Sequence, residues 1–143
     1  MIETNQVRMS KGTFKDIAQK ISEGHKNEIR YGILIGERVE DAILITGVVV
    51  PKQEPGDRDG PDLDKHIYID AAIEAHPEKI VGIIKHNADK EPNMTDYDKL
   101  VLDEFAEKNT AAIMICTNNN LDLKTWIYIK EVVINELEHV IEE

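Results

Sequence analysis

The chain has 143 residues, a formal net charge of −11, 41% hydrophobic residues and a single cysteine. The length predicts one domain over residues 1–143 that can bury a core unaided, and the lone Cys116 excludes a disulfide framework and a cysteine-rich zinc module. With 28 acidic residues against 17 scattered basic ones, no run of ~18 apolar residues and no apolar leader in MIETNQVRMSKGTF, the expectation is a cytoplasmic protein that binds neither nucleic acid nor membrane.

Phe14, Ile17, Ala18 and Ile21 fall at i, i+3, i+4, i+7, which predicts one buried helix face, with Ser10 or Thr13 capping its start and Gly24 its end. Residues 31–35 form a short, nearly all-apolar strand, GERVED a turn, and Ala42 to Val50 a second strand, so the two make a hairpin. Residues 51–65, PKQEPGDRDGPDLDK, hold three prolines, two glycines and five acidic residues, the composition of a loop insertion. A short helix over 71–75 is stopped by His76-Pro77.

Ile80 to Ile84 is a fully apolar strand running into the polar end Lys85-His86-Asn87. A helix from about Thr95 to Lys108 follows, with Thr95-x-x-Asp98 in the pattern of a capping box. Ala111 to Cys116 is a third apolar strand, and Leu123 to Val133 a long last one. The tail 134–143 suits either a terminal helix, through Leu137, Val140 and Ile141, or a continuing strand. The order predicts an α/β fold (α+β-like), a mixed sheet flanked by helices.

Polar residues at the end of a buried strand, followed by a loop and a helix start, make a common site geometry. His86 and Asp98 could share a metal, or Asp98 could orient His86 as a base. The competing reading of Thr95 and Asp98 is the cap, which the spacing favours. His25, His66, His76 and His139 show no metal-pair spacing. Cys116, ending an apolar strand, reads as a small buried hydrophobe.

Three segments resemble the JAMM/MPN (Mov34/PAD-type) metalloprotease family. Glu28 to Gly36 (EIRYGILIG) is similar to its Glu-x-x-Gly-φ-φ-φ-Gly strand. Ile80 to Asn87 (IVGIIKHN) is similar to its strand ending Gly-x-x-His-x-His-Pro, and Thr95-x-x-Asp98 stands at its Ser-x-x-Asp. The resemblance runs from about Val7 to Ile129 and implies an MPN/cytidine-deaminase-like sandwich.

The departures bear on function. Gapless alignment puts Lys85 and Asn87 at the two zinc-binding histidines, Ala88 at the following proline and Ile29 at the general-base glutamate, with Glu28 one residue early. Asp98 matches the third ligand and Thr95 the oxyanion-stabilising serine. Zinc prefers imidazole, thiolate and carboxylate donors. Complete sites bind it by ~10–16 kcal/mol, so losing two of four ligands weakens binding by at least ~10⁴-fold. The resemblance therefore implies a catalytically inactive domain, with no cofactor expected, acting as a scaffold or protein-interaction module toward a protein partner or itself. Edge strands and the acidic loop are its expected contact surfaces. If instead Lys85 points toward Asp98, an ion pair replaces the metal. The alternative is a zinc-dependent peptidase or isopeptidase with a shifted site. There zinc would bind His86 and Asp98, Glu28 would activate water, and Thr95 would stabilise the oxyanion. A third reading is a metal-free small-molecule pocket lined by Lys85, His86, Asn87 and Thr95.

Overall fold

The computed structural model describes residues 6–23, 29–39, 42–50, 80–96, 98–99, 112–129, 132–136 and 138–142. They contain eight strands and one complete helix: β1 (Gln6–Ser10), α1 (Lys11–Ser22), β2 (Arg30–Val39), β3 (Ala42–Val49), β4 (Ile80–His86), β5 (Ala112–Thr117), β6 (Leu123–Ile129), β7 (Val132–Glu136) and β8 (Glu138–Glu142). All eight strands belong to one mixed sheet in the order β7-β6-β5-β4-β2-β3-β1-β8. Neighbours are parallel at β1–β3, β1–β8 and β4–β5 and antiparallel elsewhere.

The helix-flanked sandwich expected from the sequence is overturned. The molecule is mostly β, and its sheet rolls into a nearly closed barrel. The C-terminal segment is the reason. β7 and β8 are separated by one residue, yet β7 pairs with β6 at one end of the sheet and β8 pairs with β1 at the other. A chain can join both ends through one residue only if the sheet curls until they meet, and β6 does contact β8. Of the tail read as helix or strand, residues 134–136 and 138–142 are strand, and β7 and β8 form the two ends of the sheet order.

Several elements stand where periodicity puts them. Helix α1 buries Phe14, Ile17, Ala18 and Ile21, and Ser10 Oγ accepts the Thr13 N–H at 3.0 Å as its cap. The hairpin β2–β3 is present but longer than expected. Its strands run through Gly36, with a bulge at Ile35/Gly36. A Cβ on Gly36 would lie 2.1 Å from the Leu44 carbonyl oxygen, so glycine is what lets the two backbones meet there. The long strand expected over 123–133 is instead two, β6 and β7, paired antiparallel; residues 130 and 131 between them lie outside the described residues. The insertion 51–65 and the helix over 71–75 lie outside the described residues. Of the helix expected over 95–108, Asp96, Asp98 and Lys99 are helical, and residues 100–108 lie outside the description.

One core gathers between α1 and the sheet from Val7, Met9, Phe14, Ile17, Ile21, Leu34, Ile43, Ile45, Ile84, Ile113 and Ile115. The reverse face of the central strands is buried too, with Tyr31, Ile33, Ile83, Lys85, Met114 and Cys116 in register across β2, β4 and β5. Burial on both faces explains the unbroken apolar runs of β4 and β5. No described helix is long and apolar enough to cross a membrane.

Gly82 brings β4 against β5: a Cβ there would lie 2.2 Å from the Ile113 carbonyl oxygen and 2.6 Å from its Cγ1. Gly82→Ala is expected to cost about 1–3 kcal/mol by forcing apart a central strand pair. Urea unfolding checks this, and a loss under about 0.5 kcal/mol would show that the pair yields freely.

Candidate functional site

The register lines up one row of side chains across four strands. Tyr31 pairs with Lys85, Lys85 with Cys116, and Cys116 with Lys124. Their side chains share the face away from α1 and converge on the segment 93–98 at the start of the second helix. Asp98 is the focus. Its Oδ2 accepts from Lys85 Nζ at 2.6 Å and from the Thr95 backbone N–H at 2.8 Å, and its Oδ1 accepts from the Tyr31 hydroxyl. Both side chains of the Lys85–Asp98 ion pair are fully buried. Asn93 supplies further acceptors. Its carbonyl faces Lys85 Nζ at 3.5 Å and Cys116 Sγ at 3.7 Å, and its Oδ1 faces Lys124 Nζ at 3.4 Å.

The capping box is complete. Thr95 Oγ1 accepts the Asp98 N–H at 3.2 Å while Asp98 Oδ2 accepts the Thr95 N–H. Asp98 therefore has two jobs at once: it caps the helix start and neutralises Lys85. The ion pair between strand end and helix start, one of the alternatives drawn from the sequence, is present.

Asn87, two residues beyond Lys85, lies on the same side and donates from Nδ2 to the Glu91 carbonyl. With Ile29, Lys85, Asn93 and Thr95 it lines a cavity of about 250 Å³. All four positions that gapless alignment equates with the family's general base, two zinc histidines and oxyanion serine thus border one cavity, with Asp98 bonded to its wall. Ala88 has a φ of 57°. A proline, fixed near −65°, cannot adopt that conformation, so the family's His-Pro pair is excluded by the turn as well as by composition.

His86 is elsewhere. Successive strand residues point to opposite faces, and His86 pairs regularly with Arg30 and Thr117 without a slip at this end of the strand. It lies on the α1 side, where Nε2–H donates to Asn119 Oδ1 at 2.9 Å. There it borders a separate cavity of about 280 Å³ with Ala18, Ser22 and Leu121. His86 and Asp98 are not brought together. Glu28 lies outside the described residues, as do His25, His66 and His76.

The residues at Asp98 do not fit the zinc that the resemblance implies. A cation is already in place, since the Lys85 ammonium sits at hydrogen-bonding distance from the carboxylate. The carboxylate also receives donors on both oxygens, leaving little lone-pair capacity for a metal. Among the described residues no three His, Cys, Asp or Glu side chains group to hold a metal ion. What sequence reasoning missed is Tyr31, which looks like one more apolar strand residue. Its only signal is its in-register place opposite Lys85, which requires the pairing to be known.

Burial pushes the Cys116 thiol up to about 12 from 9.0, with the Asp98 carboxylate adding to the rise and Lys85 and Lys124 opposing it. The thiol is a buried, protonated group, as its apolar strand context predicts.

No family model matches the chain, and no curated protein matches it. Its structure is similar to the solution structure of protein DSY2949 from Desulfitobacterium hafniense, with a TM-score of 0.72 and 13% sequence identity over 96% of this chain and 94% of that one. At that identity the likeness establishes a shared fold alone.

Removing Lys85 leaves Asp98 buried and uncompensated, so Lys85→Met is expected to cost about 3–5 kcal/mol. Lys85→Met with Asp98→Asn is expected to recover part of that loss in urea unfolding. A double variant no more stable than Lys85→Met alone would show that the two charges are not coupled. For Cys116, the folded value lies above the ordinary one, so the folded state favours the protonated thiol. Its contribution is full below about pH 9 and declines as pH rises toward about 12. The matching kinetic expectation is that native protein resists a thiol reagent at pH 8 and reacts only after unfolding.

Proposed function

We propose that this chain is a catalytically inactive MPN-like domain that acts as a protein-interaction or scaffold module. The observation that carries the reading is the convergence of Ile29, Lys85, Asn87 and Thr95 on one cavity beside Asp98. These are the residues that the gapless register, and not the slipped one, assigns to the family's site. Where that chemistry needs a glutamate to activate water and two imidazoles to hold zinc, the cavity carries an isoleucine, an ammonium and an amide. None of the three can serve. The side chains that remain, Thr95 and Asp98, are occupied with capping the helix and closing the ion pair.

Resemblance to family members that lack the ligands supplies the positive half of the reading, a binding role. The net charge of −11 favours a basic or neutral partner face, and a second copy of this chain is the simplest partner to test. Size-exclusion chromatography with light scattering at micromolar protein is expected to show a dimer or larger species. In parallel, zinc-supplemented protein is expected to leave a ubiquitin-type isopeptide substrate uncut. A strict monomer would overturn self-association, and cleavage lost on Asp98→Ala would overturn the inactive assignment.

A further inference from the structure

The cavity of about 280 Å³ beside His86 is built from three separate pieces of the fold. Helix α1 contributes Lys15, Ala18, Gln19 and Ser22, which fall at i, i+3, i+4 and i+7 and so form one stripe. The end of β4 contributes His86, and the turn after β5 contributes Asn118, Asn119 and Leu121. That turn is fixed before any ligand arrives. Asn118 Oδ1 accepts the N–H groups of Asn120 and Asp122, its Nδ2 donates to the Lys90 carbonyl and to Asp122 Oδ2, and the Asn119 N–H donates to the Ala88 carbonyl. Every hydrogen-bonding position of the Asn118 amide is thus used, so this side chain shapes the wall rather than meeting a ligand.

Two features of the lining point to a guest. Leu121 is a large apolar residue held at a φ of 63°, with 41% of its surface exposed at the cavity. That backbone conformation costs a leucine energy that a glycine would not lose, and such outliers gather at functional sites. The second feature is charge. In a chain of net charge −11, no carboxylate lines this cavity, and Lys15 is exposed on it with no ion pair among the described residues. The Asp122 carboxylate is engaged by Asn118 and is not part of the lining. Seven residues from Lys15, about 10 Å along the helix, Ser22 Oγ gives its proton to the Ala18 carbonyl at 2.8 Å. Toward the cavity it can only accept. Thr117, in register with His86, adds a buried hydroxyl without a hydrogen-bond partner on the same side of the sheet.

We propose that this cavity binds a small amphipathic carboxylate. The carboxylate meets the Lys15 ammonium and the Gln19 amide, the apolar body lies against Ala18 and Leu121, and a hydroxyl or N–H at the far end donates to Ser22 Oγ. A monocarboxylate suits the site better than a phosphate. The backbone N–H groups of a helix start, which phosphates favour, do not line it, and Ser22 is the last residue of α1, where the helix dipole is negative. The volume lies near the lower bound of about 300 Å³ for small-molecule pockets. The inference uses none of the residues that carry the proposed function, so its failure leaves that reading untouched.

The probe is 4-hydroxyphenylacetate, with 4-hydroxyphenylacetamide as its uncharged twin, and the readout is titration calorimetry on the full chain. The acid is expected to bind one equivalent saturably with a Kd of about 1 mM or tighter, and the amide about threefold more weakly. Lys15→Met is expected to erase that preference without disturbing the fold, because Lys15 is exposed. Leu121→Gly is expected to raise the thermal midpoint, since glycine suits the left-handed backbone, and yet to weaken acid and amide alike by about fivefold. No saturable binding of the acid to wild type would overturn the proposal. So would equal affinity for acid and amide, an acid preference that survives Lys15→Met, or a Leu121→Gly protein that binds as well as wild type.

Discussion

The carboxylate of Asp98 is the constraint on which the site depends. It receives an ammonium from β4, a phenol from β2 and a backbone N–H from its own helix start. Each of those donors is buried or half-buried, so none could leave without stranding a charge or a polar atom where water does not reach. A single side chain thereby joins two central strands to the helix that follows them. Such an ion pair adds little net stability compared with a well-packed apolar equivalent, because desolvating both charges offsets most of their attraction. Its contribution is to geometry: the pair forms only when β2, β4 and residues 95–98 are in one register.

That register has a second consequence. The side chains at positions 85 and 86 diverge to opposite faces, and two chemically different environments follow. On one side, the row Tyr31, Lys85, Cys116 and Lys124 meets the segment 93–98. On the other, the row Arg30, His86, Thr117 and Leu123 meets α1 and the turn after β5. The histidine that looked most like a ligand is on the second side, and the lysine that looked least like one is on the first. A slip by one residue would exchange the two rows. Gly82 pressed against Ile113, and the pairing of residues 82–86 with Ile113 to Thr117, oppose such a slip.

The rolled sheet places these rows in a closed setting. A flat mixed sheet would need helices over both faces to bury strands as apolar as β4 and β5. Here the strand that leaves β6 joins β1 after one residue, and the sheet wraps around its own contents. The two end strands of the sheet, β7 and β8, are thereby brought near each other, with one residue between them in the chain.

Local rules in the sequence determined α1, the β2–β3 hairpin, the apolar strands β4 and β5, the Thr95-x-x-Asp98 cap and the buried character of Cys116. Each depends on residues close in the chain: a helical period, an apolar run, a capping pair. Only the tertiary structure decided the barrel, because the path of residues 132–142 depends on which distant strands still lack a partner, and the β-branched residues there suit a strand while Leu137, Val140 and Ile141 also fit a helix. It likewise decided that Tyr31 belongs with Asp98, 67 positions away, and that Lys85 rather than His86 faces it. Which face a strand residue takes is set by pairing with strands that the chain reaches much later, and no local pattern carries that information.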